Sequence, residues 1–108
     1  MKDNKLIAEF MGLVRSSVVD KYWTKKDSEG IGFGQLKELR YDTDWNWLMQ
    51  VVEKINNQNN VVQIHENHAM VVNNTKGEML VDVVSGSMIE ATYEAVVEYI
   101  KLQNNGRV

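Results

Sequence analysis

Three short, strand-like runs follow one another between residues 61 and 84, with little chain between them. They are VVQIHE (61–66), HAMVVN (68–73) and EMLVDVV (78–84). Parallel neighbours would need a crossover of a dozen or more residues, whereas antiparallel neighbours need only a tight turn. The segment NNTKG, residues 73–77, has a glycine where a hairpin turn needs one. These short links favour a three-stranded antiparallel meander.

Side chains alternate between the two faces of a strand, so each run predicts two sets of neighbours. In the third run the sets are Met79, Val81 and Val83 on one face, and Leu80, Asp82 and Val84 on the other. Along a continuous strand, the three-residue spacing of His65 and His68 points their side chains to opposite faces. We therefore expect two surface histidines and no metal site.

The best helical pattern covers residues 44–56, where the apolar side chains occupy one arc of about 200°. The members of this arc are Trp45, Trp47, Leu48, Met49, Val51, Val52 and Ile55. Thr43 or Asp44 is suited to cap the start of the helix, and the asparagines of residues 56–60 are suited to end it.

Two more helices are predicted, one at each end of the chain. A short helix over residues 4–14 has its apolar side chains on one stripe, with Asp3 or Asn4 as the cap. A last helix over residues 88–104 begins after the sequence SMIE, which is a capping box from Ser87 to Glu90.

These elements predict an α+β fold, with a small antiparallel β-sheet of three or more strands. Two long helices and a short N-terminal helix pack with the sheet. Residues 17–23 or 31–36 are candidates for extra strands. The length of 108 residues is that of one domain, so we expect a single domain over 1–108. Within it we expect a long variable loop at 15–41 and a frayed tail at 104–108.

Three stretches of this sequence together resemble one family. They are NKLIAEFMGL (4–13), YDTDWNWLMQVVEKI (41–55) and SMIEATYEAVVEYIK (87–101). They are similar to the phage α/β/α-sandwich domain, a family of small prophage-associated proteins without an established activity. The resemblance implies two helices on a small antiparallel sheet and an origin in a bacterial or prophage genome. It implies no catalytic residues. Gln50 stands where the family tends to have proline, which should make this helix more regular.

Several sequence patterns resemble those of chemical sites, but each favours an ordinary structural role. The sequence GIGFG (30–34) lacks the third glycine of a dinucleotide loop and the lysine of a phosphate loop. Asp42 and Asp44 are explained by the start of a helix, and Asp82 lies apart from them in sequence. The chain has no cysteine, which excludes thiolate ligands and a cysteine nucleophile. We therefore expect no enzyme, no cofactor and no metal.

Charge is unevenly distributed along the chain. Residues 15–41 carry six basic and four acidic side chains, whereas residues 42–108 carry four basic and nine acidic ones. Three of the acids, Glu90, Glu94 and Glu98, form a stripe along the last helix. This stripe is either a solvated helix face or a docking face for a basic partner. A body this acidic is not expected to bind duplex DNA.

The two tryptophans at the start of the second helix are expected to differ in role. Trp45 lies within the apolar arc and is expected to anchor the core. Trp47 lies at the edge of the arc, next to Lys54, and is either at the rim of the core or exposed to a partner. A possible partner contact therefore combines Tyr22, Trp23, Phe33, Trp47 and Lys54. The alternative is that these aromatic side chains cover one end of the core.

The function expected from the sequence is that of a non-enzymatic accessory domain of a prophage or mobile element. It would act through contacts with an unknown protein partner or through self-association. The alternative is a weak nucleic-acid-binding module that uses the basic and aromatic loop 15–41. No apolar run is long enough to span a membrane and no signal peptide is visible, so a cytoplasmic location is expected.

Overall fold

A computed structural model describes residues 3–12, 14–15, 22–23 and 40–106. It has an α+β fold, as the sequence predicts. The elements in chain order are α1 (Asn4–Phe10), β1 (Val14–Arg15), β2 (Tyr22–Trp23), α2 (Trp45–Asn56), β3 (Asn60–His65), β4 (His68–Asn73), β5 (Met79–Val84) and α3 (Met88–Asn104). Within these described ranges, none of the helices has the length and apolar character that crossing a bilayer requires.

Strands β3, β4 and β5 form the antiparallel meander that the short links predict. A second, very small sheet pairs β1 with β2, so part of the candidate strand 17–23 is present. The other candidate strand, 31–36, lies outside the described residues, as does most of the loop 15–41.

A bulge in β5 corrects the predicted faces of this strand. Val71 of β4 pairs with Val81, but the next residue, Val72, pairs with Met79, so Leu80 is an extra residue in the ladder. An extra residue in a strand shifts the side chains of the preceding residues to the opposite face of the sheet. Met79 is therefore half exposed instead of sharing the buried face with Val81. The prediction that Met79 shares one face of the strand with Val81 and Val83 is wrong.

One face of the sheet carries the core. Ala69 and Val71 of β4 are fully buried, and Val81 of β5 is nearly so. Helix α3 packs across β4 and β5, while α2 contacts β3 and α3. The buried residues of α3 are Ala91, Thr92, Tyr93, Ala95, Val96, Val97, Tyr99 and Ile100. Burying a valine or isoleucine side chain contributes about 1.5–3 kcal/mol, and α3 has more buried residues than any other described element.

Helix α3 begins where its sequence predicts. The Ser87 Oγ accepts a hydrogen bond from the backbone N–H of Glu90 at 3.2 Å, which confirms the predicted cap. Helix α2 is capped by Asp44, whose Oδ1 accepts from the N–H of Asn46 at 2.8 Å. Each side chain satisfies one N–H group that has no partner inside its helix.

Helix α1 is shorter than the predicted 4–14, because it ends at Phe10. Gly12 has a φ of 82°, a left-handed conformation that ends a right-handed helix. The apolar periodicity continues into Val14, but that residue belongs to β1. Asp3 precedes the helix without a side-chain capping bond, so its predicted capping role is not observed.

The core of α2 differs from the prediction in its first turn. Leu48, Val51, Val52 and Ile55 are buried, whereas Trp45 is 36% exposed. At 100° per residue, Trp45 lies about 70° from the centre of the buried arc, and as the first helical residue it extends past the end of the core. The prediction that Trp45 anchors the core is wrong.

Trp47, by contrast, is partly buried against the core. Its ring meets the buried ring of Tyr41 edge to face, with 5.1 Å between centroids and an interplanar angle of 81°. This geometry is a favourable one for two aromatic rings. Of the two roles that the sequence left open for Trp47, the structure places it at the rim of the core.

Candidate functional site

An open cleft with a volume of about 520 Å³ lies beside helix α3. Its lining comes from the residue before α1, the turn before α2, strand β5 and one side of α3. The lining residues are Asp3, Asp42, Val83, Glu90, Tyr93, Glu94, Val97, Glu98 and Lys101, and we call this site the acidic cleft. Five of the nine side chains are carboxylates and one is an ammonium.

The wall of the acidic cleft is the glutamate stripe of α3. Glu90, Glu94 and Glu98 are spaced four residues apart, so they stand above one another on one side of the helix, and all three are exposed. Glu98 is 3.8 Å from the amino group of Lys101, and Glu90 accepts a hydrogen bond from the Ser85 hydroxyl at 3.4 Å. The sequence predicts this stripe, but it does not predict the cleft that the stripe borders.

Two aspartates from distant parts of the chain complete the acidic cleft. The N–H of Asp3 donates to the hydroxyl of Tyr93 at 2.6 Å, which ties the start of α1 to α3. The side-chain amide of Asn4 donates to Asp42 Oδ1 at 2.9 Å, which ties the turn before α2 to α1. These two bonds bring both carboxylates to the glutamate stripe. Their separation in sequence explains why no local pattern indicates the site.

The floor of the acidic cleft is apolar. Val97 is buried and Val83 is partly buried, and the ring of Tyr93 is 8% exposed. Burial raises the pKa of Tyr93 to about 12, and the nearby charges of Asp3 and Asp42 act in the same direction, although the hydrogen bond from the Asp3 backbone opposes it. This hydroxyl therefore stays protonated at neutral pH, where it cannot serve as a base.

Strand β5 runs along the acidic cleft as an edge of the sheet. Its inner side pairs with β4, and the N–H of Ser85, just beyond its end, donates to the carbonyl of Asn67 at 3.0 Å. Because backbone groups of an antiparallel strand alternate in direction, Asp82 and Val84 turn their N–H and C=O groups away from β4. No strand in the described part of the chain pairs with this outer side.

The opposite edge of the sheet makes hydrogen bonds with two of the helices. The N–H of Val62 in β3 donates to the side-chain oxygen of Asn56, at the end of α2, at 3.0 Å. Asn60, the first residue of β3, is buried, and its side-chain amide donates to the hydroxyl of Tyr99 at 2.9 Å. The two edges of this sheet therefore differ, because side chains of α2 and α3 accept hydrogen bonds from β3, whereas none among the described residues is seen to accept one from the outer edge of β5.

The two histidines lie on the face of the sheet that points away from the helices. His65 and His68 are directly opposite each other in the hairpin of β3 and β4, so their side chains share a face. The prediction of opposite faces is wrong, because a two-residue turn separates them. The His68 ring contacts the Asp82 carboxylate. Over the described ranges, no group of three or more acidic or histidine side chains is placed to hold a metal ion.

The aromatic patch predicted from the sequence is described only in part. Phe33 lies outside the described residues, and Tyr22 and Trp23 are described only as strand β2. The amino group of Lys54 donates to the carbonyl of Phe10 and lies 4.6 Å from the centre of its ring. Trp47 and Lys54 thus make contacts within the fold. The partner contact of Tyr22, Trp23, Phe33, Trp47 and Lys54 stays a prediction.

Comparison with known proteins gives no relative. No protein-family model, curated protein or solved structure matches this chain. The resemblance to the phage α/β/α-sandwich domain therefore stays a prediction, and the function must be argued from the residues of the acidic cleft.

Proposed function

We propose that this chain is a cytoplasmic accessory protein of a prophage or mobile element, and that it binds a positively charged segment of another protein in the acidic cleft. It does so without catalysing a reaction. The proposed origin rests on the three stretches that resemble the phage family. The proposed binding rests on one observation, which is that five carboxylates and a single ammonium surround an apolar floor.

The charge of the acidic cleft favours a basic partner over the alternatives. Opposite charges across an interface speed association and exclude partners of the wrong sign. Phosphate groups would be repelled here, so the cleft does not support the nucleic-acid alternative, which depends on the loop 15–41. The apolar floor of Val83, Tyr93 and Val97 gives the aliphatic stem of a lysine or arginine a surface to cover.

The proposal is tested by titrating the protein with a lysine-rich peptide and a glutamate-rich peptide of equal length. Isothermal calorimetry at about 50 mM and about 150 mM salt measures the affinities, since exposed charges are screened more at the higher salt. We expect the lysine-rich peptide to bind, more weakly at the higher salt, and the glutamate-rich peptide not to bind. The absence of binding by the lysine-rich peptide at low salt would refute the proposed function.

A matched pair of variants locates the binding. Glu94→Gln removes one charge from the acidic cleft, whereas Glu53→Gln removes one from the exposed face of α2, which does not line it. An exposed charge pair contributes about 0.2–1 kcal/mol, so Glu94→Gln should weaken binding by a factor of about 1.4 to 5. Glu53→Gln should leave the affinity nearly unchanged. Equal effects of the two variants would mean that only the overall charge of the protein matters.

A further inference from the structure

The outer edge of β5 supplies the backbone groups that a bound segment of extended chain needs. Asp82 and Val84 turn their N–H and C=O groups outward, next to the acidic cleft, whereas on the opposite edge the N–H of Val62 in β3 already donates to Asn56. An edge that no strand in the described ranges pairs with is a template for another strand. We infer that the basic partner segment binds as an extended strand that adds to the sheet at β5. This inference rests on the proposed function and deepens it.

The position of Val83 determines which side chains of the added strand enter the acidic cleft. Val83 lies between Asp82 and Val84, and its side chain points to the helix side, where it lines the floor. Side chains of neighbouring strands that lie side by side share a face. Every second residue of the added strand therefore points to the side of the sheet on which the acidic cleft lies, and the residues between point to the open face of the sheet.

The repeat of the glutamate stripe matches the repeat of a strand. Residues four apart on a helix are separated by about 6 Å along its axis. Residues two apart on a strand are separated by about 6.6 Å. An added strand with lysine or arginine at alternate positions thus presents its charges at nearly the spacing of Glu90, Glu94 and Glu98. The recognised sequence is therefore basic at every second residue.

A second copy of this chain is a poor occupant of the same edge. Two β5 edges in contact would bring two glutamate stripes together, and like charges facing each other oppose association. A row of carboxylates beside this edge therefore disfavours self-pairing and leaves a basic segment as the occupant.

The test uses three peptides with the same number of lysines and threonines. The first alternates lysine and threonine, the second groups the lysines at one end, and the third repeats the first with its peptide nitrogens methylated. Methylation keeps the charges but removes the N–H groups that pair with a strand. We expect the alternating peptide to bind at least about tenfold more tightly than either of the others.

The outcomes separate this inference from the proposed function. Equal affinity for all three peptides would show that the acidic cleft recognises charge alone, so the added strand would be wrong while the proposed function stands. The absence of binding by all three would refute both. Binding of the alternating peptide with the expected preference supports both.

Amide hydrogen exchange gives a readout at the edge itself. Saturating alternating peptide should slow the exchange of the Asp82 and Val84 amides at least about tenfold. The amide of Val62, which already donates to Asn56 on the other edge, serves as the control and should not change. Unchanged exchange at Asp82 and Val84 with the peptide bound would overturn the inference.

A variant of the protein provides an independent check. Val84→Pro removes an N–H that points away from β4, and proline is tolerated at such edge positions. Val84→Ala shortens the same side chain, which is 67% exposed, and keeps the N–H. We expect Val84→Pro to lower the affinity for the alternating peptide about fivefold or more, and Val84→Ala to change this affinity little. If both variants fold and bind the alternating peptide with equal affinity, the inference is overturned. If Val84→Pro does not fold, the comparison of the alternating peptide with its methylated form tests the inference instead.

Discussion

Removing the buried side chain of Asn60 should test how strongly α3 is held to the sheet. Asn60 is 3% exposed and Tyr99 is 1% exposed. The Asn60 amide donates to the Tyr99 hydroxyl at 2.9 Å and to the carbonyl of Gln58 at 3.2 Å. The Tyr99 hydroxyl in turn donates to the side-chain oxygen of Gln58 at 3.0 Å. This network connects β3, the turn before it and α3.

The magnitude follows from the number of bonds lost. A hydrogen bond contributes about 0.5–1.5 kcal/mol net, so Asn60→Ala should lower the free energy of unfolding by about 1–3 kcal/mol. Tyr99→Phe removes the hydroxyl from the same network and should cost about 1–2 kcal/mol. Because both variants remove the bond between Asn60 and Tyr99, the double variant should cost less than the two together, by about 1 kcal/mol.

Urea unfolding followed by circular dichroism, with linear extrapolation to water, measures these free energies. Gln63→Ala is the control, because Gln63 is exposed on the same strand and should change stability by no more than about 0.5 kcal/mol. A loss below about 0.5 kcal/mol for Asn60→Ala would refute the reasoning. So would strict additivity in the double variant, since it would mean that the bond contributes nothing.

Three further predictions concern the rest of the fold. Leu48→Ala should cost about 2–5 kcal/mol in urea unfolding because Leu48 is fully buried, whereas Trp45→Ala should cost about 1 kcal/mol or less; the reverse order would contradict the burial. Glu66→Gly should raise the melting temperature, because Glu66 has a φ of 53° that costs a residue with a side chain about 1–2 kcal/mol; a lower melting temperature would contradict this. Burial raises the pKa of Tyr41 and Tyr93 to about 12 from 10.0, so the folded protein keeps protons that the unfolded chain loses. The free energy of unfolding should therefore fall between about pH 10 and 12, and less steeply in Tyr41→Phe; a flat profile would contradict the shifts.

The sequence predicts the elements well wherever local chemistry marks them. Helix α3 has the predicted bounds because Ser87 caps one end and the apolar stripe continues to the other. The strands lie within one residue of their predicted positions, because short links and a glycine turn leave few alternatives. These features act over a few residues, so they can be recognised before any tertiary contact is known.

The predictions from sequence are wrong where tertiary contacts determine which face a residue lies on or whether it is buried. The bulge at Leu80 depends on how β5 pairs with β4, and nothing local to β5 indicates it. Trp45 belongs to the apolar arc by angle, but as the first residue of α2 it lies beyond the end of the core. His65 and His68 share a face only because a turn lies between them. Each error assumed a regular element, with the same period along its whole length and the same surroundings.

The candidate site was predictable only in part, for the same reason. The glutamate stripe follows from the spacing of residues on one helix. The acidic cleft also needs Asp3 and Asp42, which reach it through bonds to Tyr93 and Asn4. These contacts join residues that are far apart in sequence. The edge of β5 likewise depends on strand order, so the glutamate stripe is the part of the proposed binding surface that is visible in the sequence alone.

Glu94 is the residue of the acidic cleft that best tests the proposed binding. Glu90 lies in the first turn of α3, where the helix dipole favours an acid, and Glu98 is close to Lys101. Glu94 lies between two glutamates, and like charges four residues apart destabilise a helix by a few tenths of a kcal/mol each. Within the described part of the chain, no ion pair offsets this cost. Glu94→Gln should therefore leave the free energy of unfolding unchanged or raise it by up to about 0.5 kcal/mol. The same variant should bind the lysine-rich peptide more weakly. A residue kept only for the fold would lose stability on substitution and leave binding unchanged, so urea unfolding and calorimetry on this one variant distinguish the two roles.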